Sequence, residues 1–271
     1  EITDWNDAYD NGNNIPSAQK WPSLWAQSAE LYREQLLASG SIELDISYGA
    51  HERNIYDLIM PDVPPKGLII FVHGGFWHKL DKSYFTHLAQ GSRENGWAVA
   101  IPSYRLCPEV RIAEIVEEIS TMFSSTAKQL NGPIRLIGHS AGGHLVTMMV
   151  TAASSIAQDI KHRIDHVVSV SGLHDLRPLM KLNMNALLNI DGREAVLMSP
   201  ALLEPAENIK LTCWVGGAER SEFIRQNDLL ANIWKGLGAK TTIYHQPDRH
   251  HFNILDDLAD ANGALTKALL I

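Results

Sequence analysis

Ile134-Arg135-Leu136-Ile137-Gly138-His139-Ser140-Ala141-Gly142-Gly143-His144-Leu145 is the stretch that decides how this chain is read. Ile134, Leu136 and Ile137 suit a short buried strand, and the Ala, Gly, Leu, Val and Met run beyond Ser140 suits a helix. Gly138 to Gly142 is therefore a G-x-S-x-G placed where a strand turns sharply into a helix. Such a turn strains the central residue, and side chains two before and two after it would clash, so glycine is needed at both places. The serine hydroxyl is left exposed, with the amide dipoles of the following helix aimed at any negative charge that forms beside it.

A serine hydroxyl needs a base to take its proton and an acid to orient that base. In this order of elements the histidine belongs in a loop after the last strand, and of the 12 histidines His250 and His251 meet that demand, following Thr241 to Tyr244 and Pro247-Asp248. The acid belongs after the preceding strand, Leu211 to Val215, where Glu219 is the first carboxylate. Glu222 is its nearest rival; Asp228 falls within the next helix, and Asp248 is too close to the histidine to be independent of its loop. Upstream, His73-Gly74-Gly75-Phe76-Trp77 follows the apolar run Leu68 to Val72. Its glycines let the backbone turn NH groups toward a substrate carbonyl, so the amides of Gly75, Phe76 and Ala141 are the candidate oxyanion hole.

The rest of the chain alternates strand and helix signals. Residues 1–20 form a polar, turn-rich arm that carries Trp5 and Tyr9, and Pro22 to Leu36 reads as an amphipathic helix with Leu24, Trp25, Leu31, Tyr32 and Leu36 apolar, ended by Gly40. This segment, 1–41, is expected to pack on or over the pocket of a catalytic domain spanning 42–271. Strands are expected at Ile42 to Tyr48, within Asn54 to Met60, and at Leu68 to Val72, Trp97 to Ile101, Ile164 to Val170, Leu211 to Val215 and Thr241 to Tyr244. Helices are expected at 111–130, 222–236 and 253–270, with short helices over the strand ends in 174–207. The fold class that follows is α/β, a mostly parallel central sheet with helices on both faces and an antiparallel N-terminal strand pair.

At 271 residues and 45% hydrophobic content, the chain can bury a sizeable core. A net charge of −8 disfavours nucleic acid and anionic membrane surfaces as partners, so the expected partner is a small-molecule substrate; the composition is also compatible with a homo-oligomer. Cys107 and Cys213 are too few for a disulfide framework, and no apolar run approaches a membrane span, which together suggest a soluble cytoplasmic protein. H-E-x-x-H and clustered Cys/His spacings do not occur, and no phosphate-binding glycine loop is present, so neither metal nor cofactor is expected.

Taken together, these motifs resemble those of the α/β-hydrolases and, more narrowly, the kynurenine formamidase (arylformamidase) family, marked by H-G-G-x-W. The resemblance runs through His73 to Trp77, Asp81-Lys82-Ser83, Tyr104 to Arg111, the Gly138 to His144 elbow, Ser199-Pro200 and His251-Phe252. It implies Ser140 as nucleophile and selects His251, which directly precedes an aromatic residue, over His250. It also places the acid at Glu219, where animal members have aspartate. Trp77, Tyr104 and His144 are the candidates for lining the substrate pocket. The activity implied is hydrolysis of N-formyl-L-kynurenine to L-kynurenine and formate through an acyl-enzyme, with no cofactor. The alternatives are a short-chain carboxylesterase using the same residues and a catalytically inert binding protein on the same fold.

Overall fold

A computed structural model describes residues 2–271. Eight strands form one sheet in the order β1-β2-β4-β3-β5-β6-β7-β8: Ile42–Ser47, Ile55–Ile59, Leu68–Val72, Ala98–Pro102, Ile134–His139, Ile164–Val170, Lys210–Gly216 and Lys240–Gln246 for β1 to β8. The pairs β1/β2 and β2/β4 are antiparallel, and every pair from β4/β3 to β7/β8 is parallel. This is the mostly parallel sheet that the alternating pattern predicts, in the α/β-hydrolase arrangement that the resemblance implies.

The continuous apolar runs mark strands covered on both faces. In β3, Leu68, Ile70 and Val72 enter one hydrophobic cluster while Ile69 and Phe71 enter another. The helices Ile112–Ala127, Ala141–Met148 and Ser221–Gly236 supply Ile115, Ile119, Leu145, Phe223 and Trp234 to the first. Trp25, Tyr32 and Leu36 of the helix Trp21–Ala38, with Leu265 and Leu269 of Ala264–Leu270, fill the second.

Two expectations are corrected. In Trp21–Ala38 the buried positions are Trp25, Ala29, Tyr32 and Leu36, whereas Leu24 and Leu31 face solvent, so the buried stripe runs through a small residue that an apolar count passes over. The single helix expected over 253–270 is a turn, a 3₁₀ segment at Asp256–Ala259 and a short helix, Ala264–Leu270. Between them Asp260 and Gly263 take extended ψ values of 126° and 147°, which interrupts the helix, and Gly263 packs so closely on the Asp257 backbone that a Cβ there would collide with its carbonyl oxygen. The four short helical segments within 174–207 are present over the strand ends. No helix among the described residues is long and apolar enough to cross a membrane.

The core also holds several histidines. Burial lowers His73, His144 and His166 to about 4 and His174 to about 3, so they are neutral in the folded protein at pH 7. In the unfolded chain each takes up a proton near pH 6.5, and the folded protein resists that uptake until far lower pH. Between about pH 6.5 and 4 the unfolded state therefore binds more protons, and stability should fall as pH falls by up to ~1.4 kcal/mol per pH unit for each such histidine. Urea denaturation across this window should show a steep loss of midpoint with decreasing pH, in a range above that of ordinary carboxylates. A midpoint flat from pH 6.5 to 5 would contradict the buried, neutral assignment.

Candidate active site

Ser140 caps the helix Ala141–Met148 with φ 56° and ψ −117°, a backbone conformation that a non-glycine residue adopts only under constraint. The constraint is close approach. A Cβ on Gly142 would run into the Val72 carbonyl oxygen at the end of β3, and one on Gly138 would run into the Gly142 backbone. The Ser140 amide donates to the Val170 carbonyl at 2.8 Å, fixing the turn to the end of β6. Ser140 lines a cavity at this end of the sheet, and among the described residues its Oγ makes no hydrogen bond.

His251 opens onto the same cavity. Its Nδ1 lies 2.6 Å from Glu219 Oε2, and both side chains are almost fully buried. Glu219 Oε1 accepts from the Gly216 amide at 2.9 Å and from Ser171 Oγ at 2.5 Å. Three donors from three segments thus compensate a carboxylate removed from water. With Nδ1 donating to Glu219, Nε2 is the ring atom left to receive a proton from the cavity side. His139 and Phe223 pack against the ring at centroid distances of 4.6 and 4.5 Å, and His139 Nε2 donates to the His251 carbonyl at 2.9 Å.

The rival residues have other partners. His250 Nδ1 accepts from the amides of Phe252 and Asn253, which shapes the turn. Glu222 is bonded by Tyr9 and Arg225, and Asp228 by His245. Ser171, the second donor to Glu219, was not legible as a site residue; its only signal was its place immediately after the strand Ile164–Val170.

Gly75, Phe76 and Trp77 follow one another with φ of 108°, 48° and 57°, which turns the loop after β3 back on itself. Among the described residues the amides of Gly75, Phe76 and Ala141 donate to no protein acceptor. Gly75 and Phe76 border the cavity beside Ser140. The loop is braced from behind: the Tyr104 ring stacks on His73 at 4.4 Å, and its hydroxyl donates to the His73 carbonyl at 2.9 Å. Arg53 donates to the carbonyls of Tyr104 and Leu80, each at 2.7 Å, and Lys82 meets the buried Asp57 at 2.6 Å.

The pocket assignments are corrected. Trp77, Tyr104 and His144 are fully buried and are absent from the cavity wall. Trp77 meets the His144 ring edge-on at 5.1 Å, and His144 Nε2 donates to the Met198 carbonyl at 2.7 Å. All three support the loop and the elbow from the core side, because the turn at 75–77 brings Phe76 to the cavity and leaves Trp77 in the core. The cavity, about 370 Å³, has apolar walls that include Trp25, Phe76, Phe85, Leu182, Met184 and Phe252. Asn6, Tyr9, Asp10, Asn11 and Gly12 of the N-terminal arm also border it. The arm is tied down where Tyr9 OH donates to Glu222 at 2.8 Å, where Asn6 Oδ1 accepts from the Asn183 amide at 2.8 Å, and at an Asp7–Arg220 ion pair. Among the described residues no group of three or more His, Cys, Asp or Glu could hold a metal ion.

The elbow geometry can be tested by stability. Gly142→Ala should cost more than ~2 kcal/mol in urea denaturation, because the Val72 carbonyl it would strike lies in the central sheet. Gly236→Ala is the control: nothing lies within 4 Å of the added methyl at this helix position, and it should be neutral or stabilising by up to ~1 kcal/mol. Equal effects at the two positions would refute the close-approach account.

The kynurenine formamidase of Danio rerio is 28% identical over 239 residues, covering 84% of this chain and 80% of its own. The kynurenine formamidase of Salmo salar is 29% identical over 243 residues, with the same coverage. A crystal structure from Silicibacter sp. TM1040, described as a "putative thioesterase", is 42% identical and covers 100% of both chains with a TM-score of 0.93. The BD-FAE family profile matches residues 56–216, from β2 through β7, a span that holds the candidate oxyanion loop and the serine elbow. That match takes in more than half of the chain, and with the sheet order and the elbow it makes this protein a member of the BD-FAE family and a hydrolase of the α/β-hydrolase type.

Proposed function

We propose that the protein is a serine hydrolase that cleaves an aryl formamide, converting N-formyl-L-kynurenine to L-kynurenine and formate. The observation that carries the reading is the buried Glu219–His251 pair opening on the same cavity as Ser140. In this mechanism His251 Nε2 takes the Ser140 proton as Oγ attacks the formyl carbon. The oxyanion is held by the amides of Gly75, Phe76 and Ala141. His251 then gives its proton to the departing aniline nitrogen as the C–N bond breaks, leaving formyl-Ser140. Water, deprotonated by His251, adds to that ester, and formate leaves as Ser140 regains its proton. Glu219 fixes the ring and stabilises the imidazolium at both stages.

The names of the Danio rerio and Salmo salar relatives support the formamide, and the apolar aromatic walls suit an arylamine leaving group. The similarity to the Silicibacter structure favours a second reading, ester or thioester hydrolysis by the same residues. The unpaired thiols support a cytoplasmic setting: both cysteines are buried, and burial pushes Cys107 up to about 12, so it stays protonated and unreactive.

Steady-state kinetics on N-formyl-L-kynurenine beside a p-nitrophenyl ester series separates the two. A specificity constant for the formamide far above every ester is expected; fast esters with negligible formamide turnover would move the function to esterase. Ser140→Ala should abolish turnover and fluorophosphonate labelling, and Glu219→Gln should lower kcat by about 10³- to 10⁴-fold. Near-normal turnover in the glutamine variant would remove Glu219 from the mechanism.

A further inference from the structure

Asn11 is 6% exposed, borders the cavity that holds Ser140 and His251, and its Nδ2 has no hydrogen-bond partner. The neighbouring polar groups of the arm differ. Asp10 accepts from the amide of Asn13 at 3.0 Å and from its side chain at 2.5 Å, while Asn6 accepts from the Asn183 amide. Nor is Asn11 on a loose segment. Tyr9, two residues earlier, is locked between Glu222 and Gln226 at 2.8 and 3.1 Å, and Asn14, three residues later, meets Arg220 at 3.2 Å.

A buried amide donor with no partner costs about 1–3 kcal/mol; Trp77 Nε1 and Asn227 Oδ1 are also unpartnered but lie off the cavity, whereas Asn11 is on its wall, where a ligand can supply the acceptor. The surrounding cavity wall is largely apolar and offers none. We infer that Asn11 is a specificity-determining residue whose carboxamide hydrogen-bonds an acceptor oxygen, a carboxylate or carbonyl, on the leaving half of the substrate. The inference rests on the serine-hydrolase reading but not on the formamide.

The competing account is internal. Asn11 also borders a small void of about 10 Å³ beside Glu219, His250 and His251, where a single water would satisfy the amide and brace the acid–base pair. The two accounts differ in what a substitution does to different substrates. A leaving-half contact is lost only for substrates that carry the acceptor, whereas a brace on His251 affects all of them.

The test compares phenyl acetate, which has no acceptor on its leaving half, with 3- and 4-acetoxybenzoate, which carry a carboxylate, in wild type, Asn11→Leu and Asn11→Asp. Formanilide and N-formyl-L-kynurenine form the equivalent formamide pair. Asn11→Leu should lower kcat/KM for the acceptor-bearing member of a hydrolysed pair about 10- to 100-fold more than for the other member. Asn11→Asp should lower it further by placing like charges together. Parallel losses on both members, or no loss on either, would overturn the proposal. Wild type that cleaves the esters and neither formamide would overturn the formamidase reading while the ester pair still tests Asn11. Wild type inactive on all of them would overturn both.

Discussion

The contact on which the site depends is the approach of the helix Ala141–Met148 to the end of β3. Gly142 lies against the Val72 carbonyl so closely that only a hydrogen fits, and Gly74, two residues beyond Val72, lies against the His139 carbonyl and the Ser140 Cβ. The strand that launches the candidate oxyanion loop and the helix that carries the candidate nucleophile are therefore interlocked. Movement of one displaces the other. Because these groups are held by the central sheet and not by flexible side chains, the loop amides and the Ser140 hydroxyl keep a fixed mutual geometry, which in the proposed mechanism is the condition under which electrostatic stabilisation requires little reorganisation. The positive φ at Ser140 is the local cost of the contact, and the pairing of β3 with β5 and the buried His73–Tyr104 stack offset it.

A second constraint is the burial of one carboxylate. Glu219 has a single imidazole partner, His251, so the rest of its compensation must come from fixed donors. The Gly216 amide at the end of β7 and Ser171 after β6 supply it, which ties the acid to the same sheet edge as the serine. A Cβ on Gly216 would strike the Arg249 carbonyl, so the end of β7 and the histidine loop are also in direct backbone contact.

What the sequence disclosed, and what it withheld, divides by range. The elbow, the H-G-G-F-W loop and the acid and histidine after successive strands are local signatures. Each is dictated by backbone geometry within a few residues, and the structure brings Ser140, His251 and Glu219 to one cavity edge or into direct contact. The pocket wall is set by packing between distant segments. Tyr9 and Glu222 are 213 residues apart in sequence yet share a hydrogen bond, and no periodicity encodes such a meeting. Trp77, Tyr104 and His144 were misplaced for the same reason: a motif shows that an aromatic stands beside the loop, but a run of left-handed residues decides which side chain faces the cavity. The broken 253–270 helix follows too, since extended backbone at Asp260 and Gly263, packed on the Asp257 carbonyl, interrupts a permissive apolar pattern.

These ranges bear on specificity. If the substrate is the formamide proposed above, its formyl group has almost no surface, and with roughly 25 cal/mol for each Å² of apolar area buried, an acyl side that small cannot discriminate strongly among substrates. Discrimination must come from the leaving half, whose binding energy can be used to lower the barrier where it is expressed in the transition state. Here the groups available for that purpose are Trp25, Phe85, Phe252, Leu182 and Met184 together with the N-terminal arm, none of which belongs to the catalytic motifs. Hydrolases can therefore share an elbow, an oxyanion loop and an acid–histidine pair and still differ in substrate, because the parts that select are supplied by other segments. In this protein the segment most directly in that position is the arm, anchored by Tyr9 to the helix that begins two residues after Glu219.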